Sequence, residues 1–563
     1  MSYCDSSNNL CHKAIFTVGA LTIVYAMFAF YGLGDVELSR DEGIAAVGAK
    51  RVLHFGYPKA WDGQNLFSFE AGHDLSENLI QRRLPWLGFY LGAVGLWLFG
   101  ENNFGARFYF TLCGVLNLPL LYLVGRRLGL RRLVCIIAIL LLGSPASYFI
   151  YIRQCYHYSV DVTLSLIGLA CYLKIENRWN PILLALCVVG MFHLNHLTPM
   201  WFALSLTLWA AWDHKLVLLF KRLEVWAAVV VCLIGTYSWI HWSKVLEFQD
   251  ALGGWGTFLP HLSRLAFVLS ELDMSFPLLV TVPLLIWCGF HSRIDRSLRP
   301  LFRLSICAST VFLYFSSYQY AWLRFFLFMF AILVMVWATL LVKLWSSYRR
   351  TALMLACVML GTTLPYHMSH RIIGKLWPAF AKYSMRRAPF PGDMPPMLRG
   401  LASGINPILI EVPLELTTPP LTQLGEVINY LNRHAKSGEK IVSLWDSETL
   451  QFRTRLITAY QVDPRQTTYS KVKHLPAYIT SYRDADWLLL HNMQKRNYGM
   501  MELDDLDQNE ELLVYFSHSG ATLEPIPLHV RERFPNQLPN LWGRTWSTDV
   551  GNPTLQLYHV RHP

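Results

Sequence analysis

The feature that most constrains this chain is a succession of apolar stretches between residues 14 and 366, which gives way to ordinary mixed sequence from 367 to 563. A helix rises about 1.5 Å per residue, so about 20 apolar residues cover the roughly 30 Å hydrocarbon core of a bilayer. Twelve segments read as candidate spans: 14–33, 84–99, 105–125, 133–151, 158–174, 181–197, 200–212, 225–243, 276–290, 304–318, 321–342 and 351–366. Charged residues make up only 15% of the whole, against about 25% in an average soluble domain. The deficit lies almost entirely before residue 366, so the expected fold class is an α-helical polytopic membrane protein with a C-terminal soluble α/β domain. The expected division is a membrane module over 1–366, a linker over 367–420 and the soluble domain over 421–563.

The net charge of +11 does not point to nucleic acid, because the basic residues gather in short loops between apolar segments. Arg126, Arg127, Arg131 and Arg132 form one such group; Arg293, Arg296, Arg299 and Arg303 form another. Such clusters mark cytoplasmic loops by the positive-inside rule, and the alternation leaves the C-terminal domain outside. With loop 34–83 also outside, 84–125 must cross an odd number of times although it holds two apolar segments. The expectation is therefore about eleven crossings, with 84–99 interfacial or re-entrant, in a bacterial inner (cytoplasmic) membrane. Lys13 precedes a long apolar run, Ala14 to Leu33, with no small-residue cleavage site, which reads as a retained first helix. None of the eleven cysteines lies after residue 366, so no disulfide framework supports the soluble domain.

Loop 34–83 carries an amphipathic stretch, with Ile44, Ala45, Val47, Gly48, Arg51, Val52 and Phe55 at helical spacing, which suits a helix along the membrane surface. In the terminal domain, Leu421, Leu424, Val427, Ile428 and Leu431 give one helix, while Lys440–Trp445, Asp486–Leu490 and Gln556–Val560 read as strands. Pro/Gly-rich 389–420 reads as linker.

Ionisable groups held against a membrane are costly, which makes them candidates for chemistry. Asp41 and Glu42 follow the first span; they read either as a solvated loop end or as catalytic carboxylates. Arg153, Tyr156 and His157 precede Asp161, an acid at the head of an apolar helix. They form either an aromatic interface belt or a site for an anion and an acid. Tyr320 and Arg324 stand at the external end of the span ending at 342, where the guanidinium either snorkels or contacts a lipid phosphate. His193 and His196 lack a third metal ligand.

In their order these residues resemble the C-class (GT-C fold) membrane glycosyltransferases, with the aminoarabinose transferases and protein O-mannosyltransferases nearest. The acidic pair Asp41-Glu42 is followed by a helix and Gly56-Tyr57-Pro58. LFGENNFGARF at 98–108 and YHYSVDVTLSLIGLACYL at 156–173 extend the likeness. The resemblance implies transfer of a sugar from a polyprenyl-phosphate donor to a glycan, lipid or protein acceptor at the external face, inverting the anomeric centre. It implies catalytic roles for Asp41, Glu42 and Asp161, and donor-phosphate or carrier contacts from Arg82, Arg83, Arg153, His157, Arg324 and Tyr320. No cofactor is expected, although two external acids leave a shared divalent metal ion open. The rival readings are a transporter or lipid flippase, and an inactive scaffold of the same fold. A transporter predicts mid-helix charges and internal repeats, which the sequence lacks.

Overall fold

The computed structural model describes residues 2–68, 74–244, 261–318, 321–362, 364–382, 422–443, 446–459, 475, 484–491, 496–498, 501–503, 505–530 and 555–563. The first part of the chain is helical: α1 (Ser2–Phe30), α2 (Arg40–Phe55), α3 (Leu87–Phe99), α4 (Asn103–Arg127), α5 (Arg132–Gly143), α6 (Ala146–Ile152), α7 (Tyr158–Tyr172), α8 (Asn180–Phe192) and α9 (Leu197–Trp212). There follow α10 (Leu216–Phe220), α11 (Leu223–Ser243), α12 (Leu262–Ser275), α13 (Leu278–Ile294), α14 (Arg299–Ser316), α15 (Phe328–Ser347), α16 (Arg349–Gly361), α17 (Leu364–Leu376) and α18 (Pro378–Lys382).

Every one of the twelve apolar segments is helical over most of its length, but length separates them. Among the described residues five helices are long and apolar enough to cross a membrane, and a sixth span results if α12 and α13, bent by 86°, count together. Helices α3, α5, α7 and α8 have only 12 to 15 residues. At about 1.5 Å per residue none of the four covers a hydrocarbon core alone. The segment 133–151 is two helices because Pro145 has no N–H to continue α5 and stands in extended backbone as the N-cap of α6.

Helix α15 is the central post of the membrane module. From Phe328 to Thr339 every residue is buried, as expected for a helix apolar all round. Helices α1 and α11 lie at the periphery, where Phe16, Ile23, Met27, Leu233 and Ile234 remain exposed, the pattern of a lipid-facing surface. Helices α17 and α18 fall where the sequence suggests linker. They pack against α12 and its neighbours: Ser369 is hydrogen-bonded to the Asp273 carboxylate, and Phe380 is fully buried. Residues 383–421, including the Pro/Gly-rich stretch, lie outside the described residues.

The terminal domain contains α19 (Gln423–His434), β1 (Lys440–Ser443), α20 (Ser447–Arg453), β2 (Ile457–Ala459) and β3 (Trp487–His491). A hairpin of β4 (Arg496–Tyr498) and β5 (Met501–Leu503) follows, then α21 (Asp505–His518), β6 (Thr522–Ile526) and β7 (Leu555–Arg561). The sheet order is β2-β1-β3-β7-β6, with β2, β1 and β3 parallel and β7 antiparallel to both its neighbours. Side-chain alternation places Ile441, Trp487 and Leu489 under α19, and Val442, Leu488 and Leu490 under α21. The sequence finds α19 and the three central strands; it gives no sign of α20.

Helix α20 is where the two parts of the chain meet. Thr449 Oγ1 donates to the Leu38 carbonyl at 3.2 Å, and Arg453 Nε reaches the Glu37 carboxylate at 3.1 Å. Gln451 Nε2 donates to Leu66 O at 3.0 Å, and Asn65 Nδ2 to Leu456 O at 3.0 Å. Phe452 joins the apolar cluster of Val52, Phe67 and Phe89. The amphipathic α2 therefore has protein on both sides. A Cβ at Gly43 would stand 2.8 Å from the Thr449 amide nitrogen of α20, and one at Gly48 would strike the Phe89 ring of α3.

Candidate active site

The loop leaving α1 exposes a row of backbone carbonyls, and buried carbonyls require donors. Arg107, on the first turns of α4, supplies them at Leu33 (2.9 Å), Val36 (2.7 Å) and Glu37 (3.1 Å). Asn103, one turn earlier, donates to Val36 O at 3.2 Å and to the Glu37 carboxylate at 3.0 Å. The fork of Arg107 also grips Glu42: Nε to Oε1 at 2.7 Å and Nη2 to Oε2 at 2.9 Å. Glu42 further accepts the Cys155 amide at 2.8 Å and the Ser39 amide at 3.0 Å, the latter at the start of α2. With 1% of its surface exposed and both oxygens occupied, Glu42 fastens the loop after α1, the start of α2, α4 and the loop before α7 to one another. The LFGENNFGARF stretch thus acts as a clamp on the segment that presents Asp41.

Asp41 points differently. Its carboxylate meets Arg324 Nη1 at 2.8 Å and keeps about a third of its side-chain surface open, whereas Arg324 keeps 11%. Arg324 stands on the turn before α15, with its guanidinium 5.1 Å from the Trp322 ring centre, 5.5 Å from Tyr158 and 5.6 Å from Phe325. An aromatic cradle of this kind holds a planar cation in one orientation. Trp322 carries a second guanidinium, that of Arg264, at 4.4 Å.

Asp161 lies on the first turn of α7, buried. Oδ2 receives His157 Nδ1 at 2.6 Å and Thr198 Oγ1 at 3.4 Å, while Oδ1 has no hydrogen-bond partner among the described residues. The His157 ring stacks on Phe325, next to Arg324 in the chain. Tyr156 ties the two acids together. Burial raises its phenol pKa, the charge of Asp41 raises it further, those of Arg324 and Arg83 lower it, and Asp161 adds a raising contribution. Asp41, Asp161, Arg324 and Arg83 therefore act on one hydroxyl, at one end of the helical module.

Of the residues singled out from sequence, the structure pairs Asp41 with Arg324 and Asp161 with His157, whose ring stacks on Phe325, and the charge of Arg83 acts with those of Asp41, Arg324 and Asp161 on Tyr156. Arg82 is the neighbour of Arg83 on the same loop, its amide bonded to Asp74 O at 3.0 Å. Arg153 turns to the end of α1, where Nη2 donates to Tyr31 O at 2.8 Å and the guanidinium lies over Phe149. Tyr320 lies outside the described residues. Residue-by-residue reading missed Arg107, Asn103 and Thr198; the first two sit inside a motif whose likeness was noticed without its purpose. Among the described residues no three His, Cys, Asp or Glu side chains are grouped to hold a metal ion.

No sequence-family model matches this chain, and no curated protein matches it in sequence. Solved structures do. The chain is similar to the aminoarabinose transferase ArnT of Cupriavidus metallidurans bound to undecaprenyl phosphate, with a TM-score of 0.58, 14% identity, and coverage of 96% of this chain and 97% of that one. The apo form of the same protein gives a TM-score of 0.50 at 16% identity, covering 80% of this chain and 86% of that one. A weaker likeness, TM-score 0.48 at 9% identity over 84% of this chain and 69% of that one, is to the oligosaccharyltransferase AglB of Archaeoglobus fulgidus. The fold is that of the C-class membrane glycosyltransferases, the GT-C fold. The likeness to ArnT extends over nearly the whole chain.

Proposed function

We propose that this protein is a glycosyltransferase that moves a sugar from a polyprenyl-phosphate carrier to a nucleophilic acceptor at the external face of a bacterial inner membrane. The observation that carries the reading is the Asp41–Arg324 pair, an open carboxylate against an aromatic-cradled guanidinium, with Asp161 bonded to His157, whose ring stacks on Phe325 next to Arg324 in the chain. It occurs in a chain whose fold matches that of a transferase solved with undecaprenyl phosphate.

In this reading Arg324 and Arg83 hold the donor phosphate, with Arg82 alongside, and the lipid tail runs down between helices. The acceptor hydroxyl or amine attacks the anomeric carbon from the side opposite the phosphate. The bond from that carbon to the phosphate oxygen breaks, and its electron pair stays on the phosphate. Arg324 offsets the charge that builds there, at a distance set by the aromatic rings around it. Asp41 takes the acceptor's proton, and inversion at the anomeric centre follows from a single displacement. Asp161, held in one rotamer by His157 and Thr198, uses its unpartnered oxygen to orient the acceptor or the sugar. Glu42 takes no proton in this scheme; it holds the helix start from which Asp41 projects.

The test is turnover by full-length protein in liposomes supplied with radiolabelled polyprenyl-phosphate sugar and membrane-extract acceptors, reading released polyprenyl phosphate. Wild type is expected to release carrier. Asp41→Asn is expected to lose at least about 10²-fold in kcat, the usual contribution of a positioned base. Near-normal turnover by that variant would reject the assignment.

A further inference from the structure

Arg324 leaves the backbone from a short 3-10 helix, Leu323–Phe326, which follows Trp322 in extended conformation. The first N–H groups of a helix lack partners within it, and Ser, Thr, Asp or Asn normally precedes them to supply an acceptor. Trp322 has no side-chain acceptor to offer, and none caps this turn locally. The acceptor comes instead from α12, some fifty residues earlier in the chain: Glu271 Oε2 accepts the Leu323 amide at 3.2 Å. The far side of the turn is held as well. Thr198 Oγ1, at the start of α9, donates to the Phe325 carbonyl at 3.1 Å and lies 3.4 Å from Asp161 Oδ2. Leu323 and Phe325, the neighbours of Arg324 in the chain, are thus each fixed by a side chain from a different helix.

Glu271 is 3% exposed. Arg264, Phe267 and Glu271 are spaced by three and four residues, so they share one face of α12. That face is turned to Trp322 and Leu323: the Phe267 ring meets the Trp322 indole edge-on at 5.3 Å, and the Arg264 guanidinium lies over the indole at 4.4 Å. Phe267 serves the apolar packing. A buried carboxylate is costly unless it is hydrogen-bonded, and this one meets the amide that opens the Arg324 turn.

We infer that Glu271 is a positioning residue for Arg324: by accepting the Leu323 amide, it fixes the backbone from which the guanidinium reaches Asp41 and the donor phosphate. This rests on the transferase reading above. The guanidinium meets Asp41 through Nη1 at 2.8 Å, and its Nε has no hydrogen-bond partner among the described residues. The aromatic rings set the plane of that fork, and the turn sets where it stands. A displacement of about 1 Å costs on the order of 10²-fold where geometry governs the rate.

The experiment compares wild type, Glu271→Gln and Glu271→Met, each full length, with and without Arg324→Gln. Gln keeps an acceptor for the amide; Met fills the same space without one. Hydrogen exchange of the peptide spanning 321–330, read in liposomes, is expected to be several-fold faster in Glu271→Met and close to wild type in Glu271→Gln. Equal exchange in all three overturns the contact. With Arg324 present, Glu271→Met should weaken the binding of radiolabelled polyprenyl phosphate in nanodiscs by about tenfold and raise the donor KM in parallel, and Glu271→Gln should recover most of both. In the Arg324→Gln background the same change should cost less than about twofold, because a residue that acts through another adds nothing once the other is gone. A tenfold loss in both backgrounds marks a general loosening of the fold and overturns the inference. So does wild-type binding by a Glu271→Met protein. Where Glu271→Met does not fold, Glu271→Asp, one methylene short of the amide, carries the same comparison. If wild type neither binds carrier nor transfers sugar, the transferase reading fails, while the exchange comparison still decides whether Glu271 holds the turn.

Discussion

Asp41 and Glu42 are neighbours in sequence and opposites in environment, and the difference lies in what each side chain touches. Glu42 is saturated by Arg107, Cys155 and Ser39, so removing either charge of the buried pair leaves the other unpaired, at a cost of about 3–5 kcal/mol. Arg107→Met and Glu42→Gln are therefore expected to lower the apparent melting temperature of detergent-purified protein by several degrees, while Asp41→Asn leaves it near wild type and removes activity. Asp161→Asn should fold normally and lose about 10²-fold in kcat/KM, since its open oxygen faces no protein donor. Both aspartates were legible in the sequence because an acid at an apolar helix end is expensive and conspicuous. Arg107 was not. A cation near the end of a span reads as a snorkelling side chain, and nothing in the letters shows that three of its hydrogen bonds point back at a loop 70 to 74 residues earlier and two more at Glu42 of α2.

Among elements, α2 shows how close approach depends on missing side chains. Gly43→Ala places a methyl against the Thr449 backbone, which cannot swing away as a side-chain tip could. It is expected to loosen α20, seen as faster cleavage near residues 444–460 in limited proteolysis. Gly19→Ala, with nothing within 4 Å of its new Cβ on a peripheral helix, should leave cleavage unchanged. Element positions were the most legible level, because apolar runs and caps are local signals. All twelve runs are helices, and α19 begins at Thr422, whose Oγ1 caps the Gly425 amide at 3.0 Å. Lengths and breaks were less so: one proline divides 133–151, and the surface on which α2 rests comes from α20, some 400 residues away in the chain.

For the molecule as a whole, the terminal domain is part of the same structure as the membrane helices, joined through Glu37, Leu38, Asn65 and Leu66. Glu448 makes that junction sensitive to pH. The folded chain keeps its proton up to about pH 7, whereas an unfolded glutamate releases it near 4.5. The folded state binds more protons across that interval, so stability falls as pH rises through it. The cause is burial of the carboxyl, and Glu448→Gln removes the effect: its melting temperature should match wild type near pH 5 and exceed it at pH 8. In sequence the GT-C likeness covers about residues 14–345 in layout, with its specific motifs confined to about 35–175. The terminal sheet lacked such marks, because its fit to the membrane module rests on shape and backbone contacts.

Chain order adds a consequence. Residues 447–453 are synthesised after every other contributor to the Asp41 surroundings, which come from 33–42, 103–107, 153–161 and 322–326. The contacts that α20 makes with Leu38 and Gly43, on either side of Asp41 in the chain, are thus available only after all of these segments have been made.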